Sequence, residues 1–194
     1  MKHEITPEDI LPLEEFARIR KEERARVGAL KKNRRIEVGP HATFYFESYD
    51  TMWLQVQEML HIEKGGDAQL KDELAAYNPL IPNGSELVAT VMFEIDDRER
   101  RQRILGKLGG VERTIKLRVG GETIIGVAEE DQDRTTAEGK ASSVQFIHFP
   151  FNPHQREMFK RPGTEVIVGI HHENYSHMAI VPESVRAALA RDFD

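Results

Sequence analysis

Cysteine is absent from the 194 residues. That excludes a disulfide framework, thiolate metal ligation, an iron–sulfur cluster held by this chain and a cysteine nucleophile. The lack fits a reducing compartment, and a cytoplasmic protein is expected. The opening residues, MKHEITPEDILPLEEF, have no apolar signal core, and no apolar run approaches the roughly 20 residues that cross a bilayer. A soluble, unprocessed chain follows as the expectation. Also missing are a Walker phosphate loop, a dinucleotide glycine fingerprint after a strand, a Gly-x-Ser-x-Gly elbow and a His-Glu-x-x-His helix. The common nucleotide and hydrolase readings therefore have no support, and no reaction is named by any motif. Excess positive charge is lacking too: the net charge is -6 and the pI near 5.8, which disfavours general polyanion binding.

What the chain does have is 39% hydrophobic residues, enough at this length for one core and seldom two. A single domain over 1–194 is expected, with a helical extension over 1–35, a hairpin and helices over 36–86, and a strand-rich part with a C-terminal helix over 87–194. Thr6-Pro7-Glu8-Asp9 is a helix start, and Pro12 jogs or restarts that helix. Leu13, Phe16, Ala17, Val27 and Leu30 then form only a thin apolar stripe on a highly charged helix. Such a helix packs along a narrow seam or against a partner.

Residues 36–38 and 42–46 read as strands around Gly39-Pro40-His41, and residues 50–64 as a helix with Met52, Val56, Met59 and Leu60 on its core face. A short helix over 67–76 and the stiff connector YNPLIPNG lead into the rear half. There the pattern predicts strands over 87–95, 114–119, 122–129, 144–151, 165–170 and 178–181, with helices over 96–108, 153–160 and after Pro182. A polar loop separates residue 129 from 144. "FEIDDRERRQRILGKLGGVERTIKLRVGG" and "FPFNPHQREMFKRPGTEVIVGIHHEN" share the order strand, helix, glycine, strand, which hints at two stacked units. The fold class is α+β: helices packed on a mainly antiparallel sheet or partial barrel.

Two groups of side chains carry the candidate chemistry. The first comprises His41 at the Gly-Pro turn, Glu47 at the strand end, and Gln55 and Glu58 on a polar strip of the 50–64 helix. Glu58 borders the apolar face, so it should meet a cation, a metal or a backbone donor: the Lys31–Arg35 cluster or the Gly39–His41 turn as a structural partner. Glu58-x-x-His61 matches one half of a di-iron element, but no second copy exists. The second group is His148 with His171 or His172, of which His148 and His172 are chosen as an opposite wall. A carboxylate and imidazoles converging there could hold a divalent metal; the bland alternative is that "HENYS" is a polar loop with solvated histidines.

The basic run from Arg18 to Arg35 is interrupted by Glu22 and Glu23 and lacks stacking aromatics, so a solvated face explains most of it. An acidic protein partner or an anionic ligand suits the rest better than nucleic acid does. Arg18, Arg24, Lys31, Lys32, Arg34 and Arg35 are the candidate docking residues.

"KKNRRIEVGPHATFYFES", "QVQEMLHIE", "AAYNPLIPNGSELVATVMFE", "VQFIHF" and "IHHENY" together resemble the bacterial domain of unknown function 3501 family over nearly the whole chain. The resemblance carries no activity or catalytic residues. It implies genetic company with rubrerythrin-like proteins and iron–sulfur oxidoreductases, hence an accessory or binding protein in a redox or peroxide-related module with such a protein as partner. A metal-dependent enzyme with a His/Glu site is the second expectation and a nucleic-acid-binding regulator the third; self-association is left open.

Overall fold

The structure is a computed structural model that describes residues 2–129, 135–137 and 139–194. Its first turn is closed by Thr6, whose backbone N–H and hydroxyl both donate to the Asp9 carboxylate, at 3.0 and 3.3 Å. The result is a single 3-10 turn over Pro7–Asp9, after which Pro12 sets the start of helix α1 (Leu13–Lys31). Helix α2 (Tyr49–Glu63) begins at Ser48, which caps Thr51 while Thr51 caps Ser48 in return. Helix α3 (Gly66–Tyr77) follows.

The thin stripe of α1 is satisfied within the chain: Phe16 and Val27 are buried with Leu54 and Trp53 of α2. The Trp53 indole donates to the Asp9 carbonyl at 2.8 Å. Upstream, the Asn78 side chain both donates to and accepts from the Ile5 backbone, at 3.0 and 2.9 Å, and Ile5 is fully buried. The front of the chain is thereby tied to its own helices by apolar burial and hydrogen bonds together.

Among the described residues there are nine strands. They are β1 (Arg35–Val38), β2 (Ala42–Phe46), β3 (Glu86–Phe93), β4 (Ile115–Val119), β5 (Glu122–Ile125), β6 (Val127–Ala128), β7 (Val144–Pro150), β8 (Val166–His172) and β9 (Tyr175–Ile180). They form two antiparallel sheets, ordered β1-β2-β3-β7-β6 and β5-β4-β8-β9. The α+β class expected from the sequence is the class observed, with strands from both the front and the rear of the chain sharing the first sheet. Where one antiparallel sheet or partial barrel is expected over residues 87–181, there are two sheets, face to face.

The alternation along β3 explains the layering. Leu87, Ala89, Val91 and Phe93 point toward the second sheet and join Ile115, Leu117, Val119, Val166, Val168 and Ile170 in one core. A fully buried Leu or Phe contributes about 1.5–3 kcal/mol, against about 0–1 for an exposed ion pair. The sandwich interior therefore dominates stability. Opposite faces of the same strands present Val88, Thr90 and Met92 outward, and there α2 and α3 lie over part of the first sheet.

Helices α4 (Arg98–Leu105) and α5 (Pro153–Lys160) occupy equivalent places, since β3-α4-β4 and β7-α5-β8 each cross from the first sheet to the second. The two units pair with one another twice, β3 with β7 and β4 with β8. Helix α6 (Glu183–Leu189) and a 3-10 turn over Ala190–Phe193 close the chain, with Phe193 packed on Phe151 and Phe159.

Two expectations change. The strand read over 122–129 is cut at Gly126, where the chain leaves the second sheet and enters the first. A Cβ there would lie 2.6 Å from Ile147 and 2.9 Å from the Ile115 carbonyl, so only glycine fits the corner. "HENYS" is no open loop: His172 and Tyr175 face each other across a two-residue turn, and both are buried. Of the polar loop over 130–142, residues 135–137 and 139–142 are described, with Thr135 bridged to Ala141, and the rest lies outside the described residues.

Candidate functional site

The end of β2 turns a carboxylate into the space between α2 and the first sheet. Glu47 follows Phe46, its backbone N–H donates to the Val88 carbonyl at 2.8 Å, and Ser48 then caps α2. Its side chain is held from two elements: Thr51 of α2 donates at 2.6 Å to one oxygen, and Thr90 of β3 at 2.7 Å to the other. Glu47 is only 7% exposed. Among the described residues no cation lies within 4.0 Å of its carboxylate, and each oxygen keeps acceptor capacity beyond one hydroxyl bond.

Beside this carboxylate opens a cavity of about 330 Å³. The sheet contributes Tyr45, Phe46, Thr90, Met92, Val144 and Phe146; the helical side contributes Thr51, Met52, Gln55, Tyr77 and Leu80. Gln55 donates to the Tyr77 hydroxyl at 3.3 Å, joining α2 to the end of α3. The cavity exists because α2 packs Met52, Val56 and Leu60 over Val88, leaving the next rows of the sheet's outer face uncovered. Its size is within the range of small-molecule sites, and its walls combine apolar side chains with polar ones.

Lys31 and Arg34 also line it, with very different freedom. Arg34 is buried and spends four hydrogen bonds on the Phe46 carbonyl, the Glu47 carbonyl and both oxygens of Asp192. Its charge is cancelled in place. Lys31, at the end of α1, is exposed. At the far side, the Tyr45 hydroxyl donates to Glu94 at 2.7 Å, and this bond with a second from Thr43 holds the Glu94 carboxyl below its usual range.

The sequence-derived candidates divide. Glu47 and Gln55 meet at this cavity, whereas His41, Glu58, His148 and His172 do not line it. Glu58 is gripped by Arg20 through two bonds of 2.9 and 2.7 Å, which lower its carboxyl below the ordinary value. That partner is neither of the two expected for it. His61, the other half of the Glu-x-x-His element, packs edge-on against Phe16.

His41 lies over Tyr175, and burial depresses its imidazole. His172 accepts from the Asn174 N–H through Nδ1 at 3.2 Å, so its Nε2 is the donor to the Gly109 carbonyl at 3.1 Å. Both ring nitrogens are thus engaged by backbone. His148 sits between Glu86, at 3.0 Å from Nδ1, and Glu129, at 3.5 Å from Nε2. The Glu86 bond outweighs desolvation and raises its imidazole. Among the described residues no three His, Asp or Glu side chains form a group that could hold a metal ion, so the two walls expected from the sequence do not converge on one ion.

Of the docking candidates, Arg18, Arg24, Lys31, Lys32 and Arg35 are exposed, with Arg35 paired to Glu37 and set against the Tyr45 ring. Arg34 is interior. Among the described residues no helix is long and apolar enough to cross a membrane. Tyr45, Tyr77, Met92 and Phe146 were not flagged by any motif. The alternation of β3, which predicts a second face that is only partly buried, is the one signal that could have pointed to them.

Among curated proteins nothing matches this chain. A solved structure does: the crystal structure, at 1.90 Å resolution, of a novel protein of unknown function from Burkholderia pseudomallei K96243, with 37% sequence identity and a TM-score of 0.90. The match covers 98% of this chain and 99% of that one. The family model described as protein of unknown function, DUF3501, matches residues 4–193, and the chain belongs to that family.

Proposed function

We propose that the protein is a binding protein that holds a small molecule in the cavity between α2 and the outer face of the first sheet. The observation that carries this reading is Glu47, a buried carboxylate beside a 330 Å³ cavity, fixed by hydroxyls from two different elements and joined to no cation within 4.0 Å among the described residues. Burying a carboxylate on neutral hydroxyls alone is costly, and a ligand that donates to it recovers part of that cost. The company implied by the family resemblance supports an accessory role in a redox or peroxide-related module. Arg18, Arg24, Lys32 and Arg35 offer exposed cations to an acidic oxidoreductase partner.

The test uses the full chain with labelled methionine methyl groups, because Met52 and Met92 both line the cavity. A small-molecule library should yield compounds that shift both methyl signals and lose at least about tenfold in affinity in Val144→Trp, whose indole fills the space. Compounds that shift neither signal, or that bind the filled variant equally well, would put the ligand elsewhere and end the reading.

A further inference from the structure

Resting on that cavity being a ligand site, we propose that its occupant carries an ammonium group on an apolar or aromatic body, the ammonium seated on Glu47. The charges on the page favour this sign. Arg34 does not offset Glu47, because its guanidinium is bound to Asp192 and to two backbone carbonyls. Glu47 receives hydroxyl donors at one position on each oxygen, which leaves both oxygens able to accept N–H donors from a guest.

The walls suit such a guest. Tyr77 and Phe146 present π-systems that attract cations, and Met52 and Met92 add polarizable sulfur next to the apolar body. Tyr45 already takes a cation on its ring, with the Arg35 guanidinium carbon 5.6 Å from the centroid. Glu94, bonded to the Tyr45 hydroxyl, adds negative charge at that end. An anionic guest would instead meet Glu47, with no free buried cation among the described residues at the cavity to receive it. Among the described residues Lys31 is the one cation besides Arg34 that lines the cavity, Arg35 lying against the Tyr45 ring; both Lys31 and Arg35 are exposed, so water and salt screen them.

Three probes of one shape separate the charge classes: 2-phenylethylamine, 2-phenylethanol and 3-phenylpropionate. Each is titrated by calorimetry into the full chain and into Glu47→Gln, with the Met52 and Met92 methyl signals followed in the unaltered protein. The amine should bind at least about tenfold more tightly than the alcohol, shift both methyls, and lose that advantage in Glu47→Gln, while the carboxylate binds worst. If Glu47→Gln fails to fold, the ranking of the three probes in the unaltered chain decides alone. Alcohol or carboxylate binding as tightly as the amine at the same methyls would overturn the ammonium assignment and leave the cavity reading standing. Failure of all three probes to move either methyl would overturn both.

Discussion

Arg34 and Asp192 form a two-bond ion pair, 3.1 and 2.5 Å, across 158 residues of sequence, with side chains 6% and 0% exposed. The pair ties the last turn of the chain to the junction between α1 and β1. Through its bonds to the Phe46 and Glu47 carbonyls, the same guanidinium fixes the backbone from which the Glu47 carboxylate projects. The C-terminus and the cavity are therefore mechanically one unit.

Removing one member of such a pair leaves an uncompensated buried charge, which typically costs about 3–5 kcal/mol. Asp192→Ala is expected to lose stability on that scale in urea denaturation. Glu37→Ala, which removes the exposed pair with Arg35, should change stability by less than about 1 kcal/mol. Equal losses for the two would mean that Arg34 finds another partner.

Tyr175 performs a similar service at the other sheet edge. Its hydroxyl accepts from the N–H groups of His41 and Ala42, each at 2.9 Å, and donates to the Val38 carbonyl at 2.7 Å. One side chain of β9 thus satisfies the turn that joins β1 to β2. Gly39 in that turn has φ of +70°, and a Cβ on it would come within 2.8 Å of the hydroxyl. Tyr175→Phe keeps the ring but strands two donors and an acceptor, so a loss of about 2–3 kcal/mol is expected in thermal or chemical melts. Hydrogen exchange at His41 and Ala42 should accelerate in the same variant; unchanged exchange would contradict the assignment.

These two contacts illustrate what the sequence could and could not disclose. Caps, turns and periodicity are local, so the spans of α1, α2, α5, β2 and the Gly-Gly hairpin of the second sheet were legible from neighbouring residues. Arg34 read as one more member of a basic run, because the feature that buries it, Asp192, lies at the opposite end of the chain. The duplicated strand-helix-strand pattern was visible, yet that each copy bridges two sheets depends on pairings between distant strands. Glu47 and Gln55 were found through a strand end and a helix strip. Tyr45, Tyr77, Met92 and Phe146 join them only through tertiary packing.

Gly126 is the sharpest instance of a fold feature hidden in a regular pattern. The run ETIIGVA has the composition of one strand, but the backbone at its glycine passes between Ile147 and the Ile115 carbonyl. Gly126→Ala would force one of them to move, with an expected cost of about 1–3 kcal/mol for overpacking. Gly121→Ala is the comparison on grounds of space, since nothing lies within 4 Å of its added Cβ, although its φ of +97° brings backbone strain of its own. To separate the two effects, Gly126→Ala should also weaken the β6–β7 amide protection, which Gly121→Ala leaves intact.

His148 makes the stability depend on pH in a definite direction. Its imidazole is raised above the ordinary value of 6.5, first by the bond it donates to Glu86 and then by Glu129, despite the opposing effect of burial. A group whose folded value lies above its unfolded value binds its proton more tightly when folded. Its stabilisation is therefore complete below about 6.5, the unfolded value, and is lost as pH rises through the higher folded value. His148→Gln keeps a hydrogen-bonding side chain but cannot titrate. The difference in unfolding free energy between the unaltered protein and this variant should be largest below about pH 6.5 and shrink as the pH rises through the raised folded value. Because Glu86 starts β3 and Glu129 follows β6, the amide protection of β6 should fall over the same interval in the unaltered protein and stay flat in the variant. A difference that grows with pH would reverse the sign of the argument and show that the neutral imidazole is the stabilising form.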